Sequence, residues 1–233
     1  MENLLYEYMS QRFLSGRDLS GMPQDSGPVI TISRQAGCGA SKLAHELCKK
    51  LNSTARTSGF QEPWQFINHE ILEKSAEKLN LEPGKLDRVI TDKERGIMDQ
   101  IVEALSSHSH KSDQKIMKTM LEVIRQIAEQ GRVIIVGRGG AVVSQHIHRA
   151  LHLRLEAPLE WRMEQVVKKL EYSRDYAREY ILKLDEQREM YVKRMAQGSE
   201  NHYLYHAILN PSRYSESEIL DLIMNMASLK NIH

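Results

Sequence analysis

The sequence predicts an α/β fold built on a parallel sheet, and three observations carry that prediction. Five short apolar segments are spread along the chain. Helical stretches lie between them, so crossover connections join parallel strands. A glycine-bearing turn, QAGCG, joins the first segment to the first helix.

Taken in order, residues 1–15 place Leu4, Leu5, Tyr8, Met9 and Phe13 near one face of a short amphipathic helix. Residues 16–27 (GRDLSGMPQDSG) read as a linker, which leaves 28–233 as the main domain. The first strand is 29–33 (VITIS), followed by a helix over 41–51. The second strand is 65–68 (QFIN). A helix over 116–130 repeats Ile116, Met120, Val123, Ile124 and Ile127 as one stripe, and Gly131 ends it. The third strand, 132–136 (RVIIV), is apolar on both faces, as in a central parallel strand. The fourth, 151–155 (LHLRL), alternates and predicts a less buried strand; the fifth is 205–209 (YHAIL). Residues 160–197 are helical and charged, with bases and acids interspersed. Two readings stay open there: a solvated helical pair held by charge pairs, or an arm that brings arginines over a phosphate site.

The chain has 233 residues and 41% hydrophobic content, enough for a sizeable core. Lys+Arg 32 against Asp+Glu 31 gives a formal charge of +1, which argues against a general nucleic-acid binder. No apolar run approaches a membrane span, and residues 1–11 lack the pattern of a secretory signal. Cys38 and Cys48 fall within one loop–helix segment, so a shared disulfide is not expected, and a reducing cytoplasm fits.

The turn after the first strand invites comparison with the phosphate-binding pattern G-x-x-x-x-G-K-[ST]. Arg34 takes the first glycine position, Gly39 the second, Ala40 the lysine and Ser41 the hydroxyl. Backbone N–H groups from Gly37 to Ser41 suit a phosphate, and the helix start adds its positive end. Ser41 is the expected Mg²⁺ ligand. The missing cation is expected from Arg34, Lys42 or an arginine elsewhere. A helix start lowers a thiol pKa, but no His–Asp partnership supports a catalytic Cys38, so a small loop residue is the expectation. The competing reading is a plain strand–turn–helix connection.

Several blocks occur together in one order: ITISRQAGCGASKLAHELCKKL, QFINHEILEKSAEKLN, RVIIVGRGGAVVSQ, LHLRLEAPLEWRMEQVVKK and YHAILNPSRYSESEILDLI. They resemble the cytidylate kinase-like family of P-loop nucleoside monophosphate kinases, over roughly residues 29–227. The resemblance implies a P-loop NTPase fold, with a five-stranded parallel sheet flanked by helices. It implies ATP with Mg²⁺ at Gly37, Cys38, Gly39, Ala40, Ser41 and Lys42. It implies acceptor nucleotide at Asn68, His69 and Glu70, and acceptor phosphate at Arg138. A lid maps to about 172–196, with Arg174, Arg178 and Arg188 bridging donor and acceptor. Arg162 matches an arginine common just before the lid, and the turn 210–215 lies near the donor base. Two departures stand out: Ala40 replaces lysine, and Gly139 stands where cytidylate kinases carry aspartate.

The expected chemistry is therefore transfer of the ATP γ-phosphoryl to a small acceptor, with CMP or dCMP leading. The rivals are a nucleotide-binding regulatory module without transfer, and a kinase for a non-nucleotide acceptor. The expected partners are nucleotides, without nucleic acid or membrane, and a homodimer through the leading helix is a further expectation. His146, His148 and His152 lack a fixed ligand spacing and read as structural rather than a zinc site. Structural or surface roles are also expected of His202 and His206, and packing roles of Trp64 and Trp161.

Overall fold

A computed structural model describes residues 26–57, 63–68, 121, 124–195 and 204–232. The leading helix and most of the linker, His69, Glu70 and His202 lie outside the described residues. Almost everything described belongs to one compact unit, Asp25–Phe66 with Ile124–His233.

The architecture is a five-stranded parallel sheet flanked by helices, with strand order β2-β3-β1-β4-β5. β1 (Val29–Arg34) occupies the centre, between β3 (Val133–Val136) and β4 (Ala150–Leu155). β2 (Gln65–Ile67) and β5 (Ala207–Leu209) form the edges. The register places Val29 against Val133 on one side and Ala150 on the other, and Leu153 against Ala207. Central strands of a doubly covered sheet must be apolar on both faces. Val29, Ile30 and Ile32 in β1 and all four residues of β3 are buried accordingly.

α1 (Ala40–Thr57) buries Leu43, Ala44, Leu47 and Leu51, the stripe that a helix of 3.6 residues per turn turns inward. It shares one core with Ile30, Ile32, Leu151 and Leu153 of the sheet, and with Ile219, Ile223 and Ala227 of the last helix. That helix, Glu216–Leu229, opens with a capping box: Ser215 Oγ accepts from Glu218 N–H, and the Glu218 carboxylate accepts from Ser215 N–H. Of the helix expected over 116–130, residues 121 and 124–130 are helical and end before Gly131, while Ile116, Met120 and Val123 lie outside the described residues.

The charged region resolves into two helices, Leu159–Leu170 and Arg174–Met195. Numbered in chain order with the short turn Gly140–Val143 as α2, they are α3 and α4, and the last helix is α5. α4 turns Ala177, Ile181 and Leu184 inward.

β4 departs from expectation. Its alternating pattern predicts a half-exposed strand, yet five of its six residues are buried. The polar members are satisfied inside. The His152 ring shares a 2.9 Å hydrogen bond with Thr31 Oγ1. Its backbone N–H donates to His206 Nδ1, also at 2.9 Å. Arg154 Nε donates to Glu156 at 2.5 Å. A buried polar group that is fully hydrogen-bonded costs little, so alternation here does not report exposure. Trp64 is 2% exposed and packs in the core as expected. Both cysteines are free and buried, and no described helix is long and apolar enough to cross a membrane.

Candidate functional site

The strand order reverses direction at β1, with β3 on one side and β4 on the other. In open α/β sheets the crevice at the C-terminal ends of the strands, at such a switch point, is where ligands bind. The glycine loop emerges there.

The loop is shaped from below. Gly37 has φ +86°, and a Cβ on it would meet the Arg162 carbonyl oxygen at 2.8 Å and the Arg162 Cβ at 3.0 Å. Both the backbone angle and the close approach of α3 therefore demand glycine. Gly39, at φ +72°, faces open space. It has no side chain with which to cap α1, and the first turn of α1 carries no acidic residue. The N–H groups of Ala40, Ser41 and Lys42 have no acceptor within the helix, so this helix start suits an anion. Ser41 is exposed beside it.

The other loop side chains go elsewhere. The Ala40 methyl is 4% exposed and belongs to the hydrophobic core. A lysine here would have to thread out of apolar packing. Lys42 is exposed and paired with Glu216 at 2.6 Å; the hydrogen bond to Glu216 raises its pKa above the ordinary value. Cys38 lacks the lowered thiol pKa that a helix start alone would favour, in keeping with the small loop residue expected there. Burial pushes its thiol up to about 11, against the lowering influence of Arg162, so the helix start does not make it reactive.

The arginines sort into three groups. Arg34 lies over Gly137, where its guanidinium occupies the place a Cβ would take. Arg138 follows in a left-handed conformation, φ +53°, between Gly137 and Gly139, both also at positive φ. Such a conformation costs a non-glycine residue about 1–2 kcal/mol, and strain of this kind concentrates at functional turns. Burial pulls the Arg138 guanidinium down to about 10; nearby Tyr191 opposes this and the Arg188 cation adds to it. Arg188 and Tyr191 continue the inward stripe of α4 beyond Leu184. Arg188 Nη1 and Tyr191 Oη are enclosed and meet no hydrogen-bond partner among the described residues. Burial raises the Tyr191 phenol to about 12, so it is a hydrogen-bond donor at neutral pH. Enclosed donors beside a second guanidinium are costly unless an anion accepts from them.

Arg162 is built into the fold. It is buried, and its Nε donates to the Ala157 carbonyl at 2.9 Å. Its Nη1 donates to the Ala36 carbonyl at 3.2 Å and to Asp185 Oδ2 at 2.5 Å. Arg174 and Arg178, on the first turns of α4, are exposed. Arg174 is paired with Glu160. Asn68 directly follows β2.

Tyr191 and Asp185 escaped the sequence reading. A signal for Tyr191 was present: positions 177, 181, 184, 188 and 191 fall on one helical stripe that turns from apolar to polar. Among the described residues no group of three or more His, Cys, Asp or Glu could hold a metal ion, and His152 is occupied by Thr31 and His206.

A central strand, a glycine loop and a helix start below converging arginines define a P-loop kinase architecture. The chain belongs to the cytidylate kinase-like family, which it matches over residues 29–213. It is a divergent member with alanine in the lysine position. Among solved structures, an uncharacterized protein from Eubacterium ventriosum ATCC 27560 is similar, with 14% identity, TM-score 0.58, and coverage of 86% of this chain and 97% of that one. Shikimate kinase from Bacteroides thetaiotaomicron is a weaker likeness, with 13% identity, TM-score 0.46, and coverage of 86% and 98%. At such identities the first likeness shows the fold alone. No curated protein matches the chain. Membership in a kinase-like family implies phosphoryl transfer, with nucleotide and metal use, in general terms.

Proposed function

We propose that the protein transfers the γ-phosphoryl of ATP to a nucleoside monophosphate, with CMP or dCMP as the leading acceptor. The observation that supports this most is that Arg138, after β3, meets Arg188 and Tyr191, which lie one turn apart on α4 and far along the chain from it. Phosphoryl transfer needs alignment and charge neutralisation more than covalent work by the protein. A guanidinium meets phosphate oxygens in pairs and keeps its charge even when burial lowers its pKa.

In this reading the open face at Gly39 and the N–H groups opening α1 receive the donor phosphates. Arg138, Arg188 and Tyr191 hold the acceptor phosphate. Ser41 is the side chain that would hold Mg²⁺, with the phosphates supplying further oxygens, and the ion would offset their charge. Arg34, over Gly137, is the cation nearest to replacing the loop lysine. The range mapped to a lid, about 172–196, coincides with α4, which the Ala36–Asp185 contact ties to the glycine loop. Exposed Arg174 and Arg178 are not needed for either phosphate.

One observation favours a second reading. Ala40 is packed in the core, so the loop is fitted to an apolar residue where kinases place a cation. A nucleotide-binding module without transfer would be built this way. The discriminating experiment is a panel of nucleoside monophosphates with ATP and Mg²⁺, scored by ADP release and by product mass. Turnover with CMP or dCMP supports the first reading. ATP binding by calorimetry without any product supports the second, and no binding of any nucleotide at millimolar concentration defeats both.

A further inference from the structure

We propose that Asp185 is a positioning residue: it fastens α4 to the glycine loop and, through Arg162, sets the loop's shape for the donor phosphates. The inference rests on reading that loop as the donor site. Both carboxylate oxygens are engaged. Oδ1 accepts from the Ala36 N–H at 2.6 Å, and Oδ2 accepts from Arg162 Nη1 at 2.5 Å. The side chains of Arg162 and Asp185 are 6% and 15% exposed, so water screens this pair weakly.

The consequence is a two-sided grip on one residue of the loop, through the peptide units on both sides of the Ala36 Cα. The carboxylate holds the Ala36 N–H, and the same Arg162 Nη1 holds the Ala36 carbonyl at 3.2 Å. Gly37, the next residue, rests on the Arg162 backbone. The loop therefore cannot shift without breaking a buried, charge-assisted contact. Arg162 has Nε and Nη1 committed to this scaffold. Its role is to shape the loop, and the bridging of phosphates falls to Arg138 and Arg188. One turn beyond Asp185, the same helix carries Arg188, so one rigid element sets both the donor loop and the acceptor group.

The test compares Asp185→Ala and Asp185→Asn with the unaltered full chain, measuring KM for ATP and for CMP separately. A misplaced loop should raise the ATP KM about tenfold for Asp185→Ala while the CMP KM stays within about twofold. Asn keeps an oxygen for the Ala36 N–H but turns an NH2 toward Arg162 Nη1, so it should recover only part of the loss. An unchanged ATP KM overturns the proposal, as does an equal rise in both constants. Tighter ATP binding also overturns it, because the carboxylate would then be a competitor for the loop. If Asp185→Ala leaves Arg162 buried without a counter-charge and fails to fold, the double variant Arg162→Met with Asp185→Ala restores neutrality and carries the same comparison. Hydrogen exchange on the ligand-free protein separates this inference from the functional reading. The Ala36 amide should exchange faster in Asp185→Ala, relative to β1 amides, even if no monophosphate proves to be a substrate; unchanged exchange removes the tether.

Discussion

Two polar clusters among the described residues differ in whether their hydrogen bonds close on themselves. Around Thr31 and His152, both buried, and the more exposed His206, the hydrogen bonds close on one another. The Thr31 hydroxyl meets the His152 ring, His152 N–H donates to His206 Nδ1, and His206 N–H donates back to the His152 carbonyl at 2.7 Å. The rings lie 5.1 Å apart. Burial, aided by His206 and Lys230, holds His152 down to about 4, so it is neutral. Around Arg138, Arg188 and Tyr191 the groups are donors, two of them cationic, and Arg188 Nη1 and Tyr191 Oη find no acceptor among the described residues. A cluster that satisfies itself is architecture. One left with enclosed donors has room for an outside acceptor, which in the proposed reading is the acceptor phosphate.

Five variants would break or sharpen that contrast. The largest effect is expected from Arg188→Ala, which should lower kcat/KM for phosphoryl transfer by about 10²–10³, as loss of a preorganised charge donor does. Thermal stability should hardly change, since a repulsive neighbour of Arg138 is removed. Arg138→Ala should cost at least about tenfold on the same grounds. A wild-type rate in both variants would remove the open cluster from the chemistry.

The closed cluster should respond to pH instead. His152 has its pKa depressed in the folded state, so the unfolded chain takes up its proton first. Its contribution is present in full above pH 6.5 and is lost as pH falls from there through about 4. Over that window the loss is about 3 kcal/mol, readable as a falling denaturant midpoint, and His206 adds to it with the same sign. In His152→Gln the slope should flatten while transfer kinetics near neutral pH stay close to the unaltered values. A pH slope that survives this substitution would place the titration elsewhere.

Tyr191→Phe tests the third donor alone. The ring still packs, and the lost hydrogen bond to an anion should weaken acceptor binding about tenfold, with ATP affinity unchanged. The smallest effect belongs to Arg174→Ala. Exposed ion pairs contribute little, so rates within about twofold are expected; a large loss would show that the first turns of α4 reach the phosphates after all.

The three arginines of this helix show why such sorting is hard from the sequence. Arg174, Arg178 and Arg188 look alike there, each a base among acids. What separates them is phase relative to Ala177, Ile181 and Leu184, and that stripe gains meaning only once a neighbour covers it. Ala40 is similar. The sequence shows that a lysine is missing, and the structure shows the position filled by core packing. The alternation in LHLRL misleads because its polar residues find partners on β1 and before β5, separated from it by long stretches of chain.

What the sequence determined by itself was local. β-branched runs became strands, helical stripes became helices, and glycines shaped the turn at the first strand's end, because propensity, periodicity and backbone freedom act over a few residues. What only the tertiary structure decided was pairing at a distance. Arg162 met Asp185, Arg138 met Arg188 and His152 met His206 because the sheet and α4 brought them within reach. Whether a charge serves the scaffold or a ligand depends on which partners enclose it, and enclosure is a property of the packed molecule.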